Sequence, residues 1–158
     1  MLIIEAPAKL NLTLEVLGKR PDGYHEIRSV MQTVNLHDTL IFRHAGGVAV
    51  SSNSPEWKPE ESLVSRAVSL VQSAIGCSRG AAIEVEKHIP LVAGLGGDSS
   101  DAAAALRGLN QLWELDLSQR KLLELAAQMG SDVPFFIDGG TALAEGRGEM
   151  LTPLPPLP

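Results

Sequence analysis

The run Pro90-Leu91-Val92-Ala93-Gly94-Leu95-Gly96-Gly97-Asp98-Ser99-Ser100 sets three glycines and two serines directly ahead of an alanine-rich helical pattern. Glycine permits turns and close backbone approaches that a side chain would block. The first amides of a helix lack internal partners, and with the positive end of the dipole they favour an anion. Ser99 and Ser100 can cap the helix, or donate to a phosphate or a metal-bound water. Two readings stay open on spacing alone: a phosphate cradle, and a tight strand-to-helix turn capped by serine. A Walker A loop is excluded, because no Gly-Lys-Ser/Thr ending follows. A Rossmann fingerprint is excluded too. Its third glycine would fall at Ser99, and the loop does not follow the first strand.

Other residues carry chemistry of their own. Asp132 stands between Gly130 and Pro134, which holds a carboxylate at a constrained chain position. It could orient a hydroxyl or accept its proton, or serve only the turn. Lys9 could polarise a hydroxyl or meet a transferred phosphoryl group, or be a solvated surface lysine. Asn11, two residues on, shares the strand face of Lys9. Tyr24 is the only tyrosine and sits on the Asp22-Gly23 turn beside His25. Its ring could stack on a base while His25 meets a base edge, or it could pack over the turn. Lys87 precedes the glycine loop, either as a nucleotide contact or as a strand-end charge.

These residues need a scaffold. Leu10, Leu12, Leu14 and Val16 alternate with polar residues, which predicts a strand with one buried face. Further strands are expected over 30–36, 39–42, 48–51 and 82–86, with a returning strand over 141–145. Residues 53–61 read as a polar connection. Leu63, Ala67, Leu70, Val71 and Ala74 share a helical face, and Gly76 can end that helix. A second helix is expected over 99–113. Ser118 suits the N-cap of a third helix reaching toward Gly130. Strands and helices mix without regular βαβ alternation, so the class is α+β. Trp57 and Trp113 read as packing residues. Glu145-Gly146-Arg147-Gly148-Glu149 reads as a solvated turn without assigned chemistry.

The chain has 158 residues, of which 44% are apolar, enough for one packed domain. The net charge of −6 argues against broad binding to a nucleic-acid backbone. The lone Cys77 rules out an intramolecular disulfide and suits a reducing cytosol. No apolar run of membrane-spanning length is present, so no membrane partner is expected.

Residues 90–104 resemble the phosphate loop of the GHMP kinases, the group of galactokinase, homoserine kinase, mevalonate kinase and phosphomevalonate kinase. Three further segments match in order and spacing: Ala6-Pro7-Ala8-Lys9-Leu10-Asn11-Leu12, Arg20-Pro21-Asp22-Gly23-Tyr24-His25, and Gly130-Ser131-Asp132-Val133-Pro134-Phe135-Phe136. Together they resemble the branch of the family that acts on a cytidine-diphosphate-linked sugar alcohol. The resemblance implies the ribosomal protein S5 domain 2-like fold and ATP-dependent transfer of a phosphoryl group to a hydroxyl, with Mg²⁺ and in the cytoplasm. It implies Lys9 and Asp132 as the catalytic pair. It implies ATP binding by Lys87 and by Pro90, Leu91, Val92, Ala93, Gly94, Leu95, Gly96, Gly97, Asp98, Ser99 and Ser100. It implies substrate binding by Asn11, Tyr24 and His25. Residues 1–152 are expected to form the N-terminal ATP-binding domain, and 153–158 a proline-rich linker. The C-terminal domain that completes the site in relatives has no expected counterpart in this chain. Asp98 departs from the family's usual glycine. It could repel ATP, help hold Mg²⁺, or cap the helix, the role its residue type favours. Asp101 falls where asparagine or aspartate is common.

Overall fold

The computed structural model describes residues 1–157. Strand β1 (Leu2–Lys19) and strand β2 (His25–Ala45) form a long antiparallel hairpin, from Leu2 opposite Phe42 to Lys19 opposite His25. The turn is built locally: the Asp22 carboxylate accepts the Tyr24 amide, and Gly23 adopts a φ of 86°. Strand β3 (Val48–Ser52) runs parallel to β4 (Gly80–Glu86), and helix α1 (Leu63–Ile75) makes the crossover between them. Strand β4 pairs with the 39–45 half of β2. Strand β5 (Thr141–Gly146) pairs with the 27–32 half, and β6 (Met150–Pro153) pairs with β5. The remaining helices are α2 (Gly97–Leu112), α3 (Gln119–Ala127) and the single turn α4 (Phe135–Asp138). Helix α2 lies against α1, β1 and β2. The α+β expectation holds.

Local sequence explains most helix ends. The Ser62 hydroxyl accepts the Ser65 amide at the start of α1, and Gly76 closes it at a φ of 63°. Ser118 caps α3 through the Lys121 amide. Ala102, Ala103, Ala104 and Ala105 are all fully buried, so the middle of α2 is enclosed on every side. At Gly108 a Cβ would come within 2.3 Å of the Phe42 ring, so only glycine lets α2 sit this low on the sheet. Trp57 and Trp113 are buried packing residues.

Several expectations change. The two strands expected over 30–36 and 39–42 are one continuous β2, and strand β6 and helix α4 were not anticipated. In α1 the buried face turns toward Val64 and Val68, while Ala74 is exposed. The buried face expected for Leu10, Leu12, Leu14 and Val16 is instead 43–63% exposed. Burial in β1 stops after Lys9: Ala6 and Ala8 are fully covered, whereas residues 10–19 are all exposed. The linker expected from Pro153 starts later, since Pro153 ends β6 and the Leu154 amide donates to the Thr141 carbonyl. Pro158 lies outside the described residues. No helix among the described residues is long and apolar enough to cross a membrane.

Candidate active site

The glycine loop joins β4 to α2 and encloses a cavity of about 150 Å³ lined by Lys87 and residues 90–99. That is below the roughly 300–1,000 Å³ of a whole ligand pocket, and suits a cradle for part of a ligand. Three loop residues have positive φ: Val92 at 57°, Gly94 at 73° and Gly96 at 72°. Helix α2 begins at Gly97, two residues earlier than its serines suggest, with Gly96 as N-cap and no side-chain cap. Asp98 therefore does not cap the helix. It lies in the first turn with its side chain 63% exposed. The Ser100 amide donates to the Gly96 carbonyl, which leaves the amides ahead of it without helical partners. Ser100 itself is buried, and its hydroxyl finds no partner among the described residues.

Lys9 and Asp132 meet next to this loop. Lys9 Nζ lies 3.2 Å from Asp132 Oδ2. The Lys9 amide donates to the Leu95 carbonyl at 2.8 Å, so the lysine's backbone is tied to the loop. At Gly96 a Cβ would meet the Phe136 ring at 2.8 Å and the Lys9 stem at 3.0 Å. The loop thus packs on both partners' segments, with glycine required by that approach as well as by its φ. Asn11 shares the Lys9 side as expected and accepts from Lys9 Nζ at 2.7 Å. Its amide donates to Ser29 Oγ at 2.7 Å, and Ser29 donates on to the Thr13 carbonyl. Ser29 was not singled out from sequence. Its signal was a small polar residue two positions from Met31, on a buried register of β2.

Tyr24 and His25 stand exposed where the hairpin turns into β2. The Arg147 guanidinium lies over the Tyr24 ring, 4.9 Å from its centroid. A Cβ on the next residue, Gly148, would lie 3.7 Å from Asp132 Oδ1. The turn between β5 and β6 therefore spans from Tyr24 to Asp132. The expectation of a bare solvated turn at 145–149 is revised, since Arg147 brings a cation over the Tyr24 ring. Flanked by two glycines, it carried no periodic signal.

Lys87 is not a free cation at the loop entry. Its ammonium is buried between Asp38 Oδ2 at 2.6 Å and Asp101 Oδ2 at 2.7 Å, with Asp98 Oδ1 at 3.8 Å. Burial opposes the lysine's charge, but Asp101 and Asp38 outweigh it and hold its pKa above the ordinary value. Burial is also the largest influence on Asp101. Lys87 pulls against it, Asp38 adds to it, and the carboxyl is pushed up to about 7. Asp101 Oδ1 has no hydrogen-bond partner among the described residues. Asp38 was missed from sequence, although a charge in register with Leu40 and Phe42, both fully buried, was a legible signal.

The family model for the GHMP kinases N terminal domain matches residues 62–140, half of the chain. The chain belongs to the GHMP kinase family. It is 57% identical to a 4-diphosphocytidyl-2-C-methyl-D-erythritol kinase of Dehalococcoides mccartyi, over 99% of this chain and 55% of that relative. A crystal structure of 4-(cytidine 5'-diphospho)-2C-methyl-D-erythritol kinase superposes with a TM-score of 0.84 at 41% identity, over 97% of this chain and 55% of that one. Homoserine kinase from Cytophaga hutchinsonii shares the GHMP fold at a TM-score of 0.75 and 22% identity, over 97% of this chain and 51% of that one. The chain spans about half the length of the curated relatives it matches. Within this GHMP domain, the segments carrying Lys9, the glycine loop and Asp132 are brought together. Tyr24 lies at the hairpin turn, with Arg147 over its ring.

Proposed function

We propose that this chain supplies the ATP-binding half of a kinase that transfers the γ-phosphate of ATP to the 2-hydroxyl of 4-diphosphocytidyl-2-C-methyl-D-erythritol, a step toward isoprenoid precursors. The observation that carries it is the Lys9–Asp132 pair, 3.2 Å apart, with the Lys9 stem against Gly96 of the loop. Phosphoryl transfer asks the protein mainly to align a hydroxyl and to stabilise spreading negative charge. The loop and the open amides of α2 hold the phosphates. The substrate hydroxyl oxygen bonds to the γ-phosphorus as the bond to the bridging β–γ oxygen breaks, and ADP leaves. The hydroxyl proton passes to the Asp132 carboxylate. Lys9 sets a positive charge beside both the carboxylate and the moving phosphoryl group. Tyr24 stacks on the cytosine, His25 meets its edge, and Arg147 backs the Tyr24 ring.

Mg²⁺ fits this site as a companion of ATP. Such an ion is commonly held by phosphates, waters and one or two carboxylates, and Asp98 offers one exposed carboxylate at the cavity. When bound, the ion screens the phosphates and the departing diphosphate. Among the described residues no group of three or more acidic, histidine or cysteine side chains is placed to hold a metal without a nucleotide.

The test is phosphorus NMR of ATP with the cytidyl substrate. It compares this chain alone with the chain joined to the remainder of the D. mccartyi relative. The joined protein is expected to phosphorylate the substrate, and the chain alone to be much slower. A folded joined protein that leaves the substrate unmodified would overturn the reading.

A further inference from the structure

Three successive amides where the chain leaves β4 are taken by side chains from elsewhere. The Lys87 amide donates to Asn53 Oδ1 at 2.8 Å. The His88 and Ile89 amides both donate to Asp38 Oδ1, at 2.5 and 2.8 Å. The second Asp38 oxygen accepts from the Lys87 ammonium at 2.6 Å. One fully buried carboxylate thus holds three donors from three consecutive residues.

This arrangement stands where the sheet stops. The ladder between β2 and β4 ends with Thr39 opposite Glu86. Beyond it the backbone of 87–89 has no strand partner on β2, and Asp38, the next residue of β2, takes over with its side chain. Leaving a carboxylate in an apolar core is costly unless its lone pairs are filled, and here they are filled entirely by the loop entry. The loop exit rests on the same residues. At Gly97 a Cβ would lie 3.1 Å from the Ile89 side chain and 3.5 Å from Lys87 Nζ. Neither Asp38 nor Asn53 lines the loop cavity.

We propose that Asp38 and Asn53 are positioning residues for the nucleotide, holding residues 87–89 so that the loop amides and the start of α2 converge on one phosphate chain. The proposal rests on reading residues 90–99 as the phosphate loop. A chain released at 88 and 89 lets the loop settle in several positions. The phosphates then lose directed donors although every loop residue is still present.

The test is titration of the ¹⁵N-labelled chain with ADP, following the amides of Gly94, Gly96 and Gly97 in the unaltered chain, Asp38→Asn and Asn53→Ala. Asparagine keeps the shape of residue 38 and one acceptor, but removes the charge that holds Lys87. Asp38→Asn is expected to raise the ADP dissociation constant about tenfold, and Asn53→Ala about threefold. Val71→Ala, in the buried face of α1, serves as the control for lost stability. It should lower the melting temperature and leave ADP affinity within about twofold. A folded Asp38→Asn chain that binds ADP as the unaltered chain does overturns the proposal. If Asp38→Asn does not fold, Asn53→Ala on its exposed segment decides, and unchanged affinity there overturns it. No shift at the three glycines of the unaltered chain with millimolar ADP is a separate result. It removes the phosphate loop itself, and the positioning role with it.

Discussion

Lys9 Nζ lies 3.2 Å from Asp132 Oδ2, with the lysine side chain only 8% exposed and the aspartate 34% exposed. The cation is sheltered while the carboxylate is partly exposed to solvent, the asymmetry expected if Asp132 meets the substrate hydroxyl. Asp132→Asn should lower turnover of the joined protein by about 10²-fold or more and leave ATP affinity nearly unchanged. Steady-state kinetics with varied ATP and varied cytidyl substrate separate the two effects. Near-normal turnover in a folded variant would remove Asp132 from the mechanism.

The Arg147 guanidinium lies over the Tyr24 ring, and the proposed function makes Tyr24 the residue that reads the base. Tyr24→Ala should weaken the cytidyl substrate by about 1–3 kcal/mol and leave ATP unaffected. Calorimetry with each ligand would detect a structural role for Tyr24 as equal weakening of both. Arg147→Ala should act in the same direction, because it removes the cation over the ring.

Asp101 links stability to pH. Its carboxyl rises from an ordinary 3.8 to about 7 on folding, chiefly through burial. In that window the folded chain binds the proton and the unfolded chain does not, so stability falls as pH rises from about 4 to about 7. Asp101→Asn removes the titration and should flatten this slope. Its melting temperature should gain on the unaltered chain at pH 8 relative to pH 5. An unchanged slope would place Asp101 outside the linkage. The groups facing it are Lys87, Asp38 and Asp98.

Val92 is fully exposed yet holds a φ of 57°, a region that burdens a β-branched residue. Val92→Gly should raise thermal stability by up to about 1 kcal/mol, the relieved strain being partly offset by glycine's greater freedom when unfolded. A lower melting temperature would show that the valine side chain supports the loop after all.

The arm of β1 beyond Lys9 exposes Leu10, Leu12, Leu14, Val16 and Leu17 together. Register shifts between Asn11 and Thr13 and between Val16 and Gly18 divide them between the two faces of the arm, and exposed apolar surface on this scale favours association. Sedimentation velocity of the purified chain should reveal concentration-dependent self-association, and Leu12→Ser with Leu14→Ser should reduce it. A chain that stays monomeric at high concentration would show that the arm is harmless in water.

Much of the scaffold was legible because its causes are local. The caps of α1 and α3 depend on Ser62 and Ser118 meeting amides three residues on, and Gly76 ends α1 because glycine takes the left-handed φ there without strain. The glycine loop and the helix after it were readable for the same reason. So was the shared side of Lys9 and Asn11, since a strand's period of two relates neighbours directly. The GHMP family was legible from segments whose order and spacing survive in one dimension.

What only the tertiary structure decided is which surfaces and charges meet. Alternation in β1 marks one face as apolar but cannot say what covers it, and among the described residues nothing buries residues 10–19. Asp98 had the residue type of a cap, yet the left-handed Gly96 starts the helix ahead of it and carries its side chain outward. Lys87 does line the loop cavity, but only the packing of β2 against α2 closed two carboxylates around its ammonium. Arg147 over Tyr24 joins two turns distant in sequence. Charge pairing depends on distances through folded space. Sequence supplies the charges and their local geometry, while the long-range packing that sets those distances arises only when the sheet and helices close on each other.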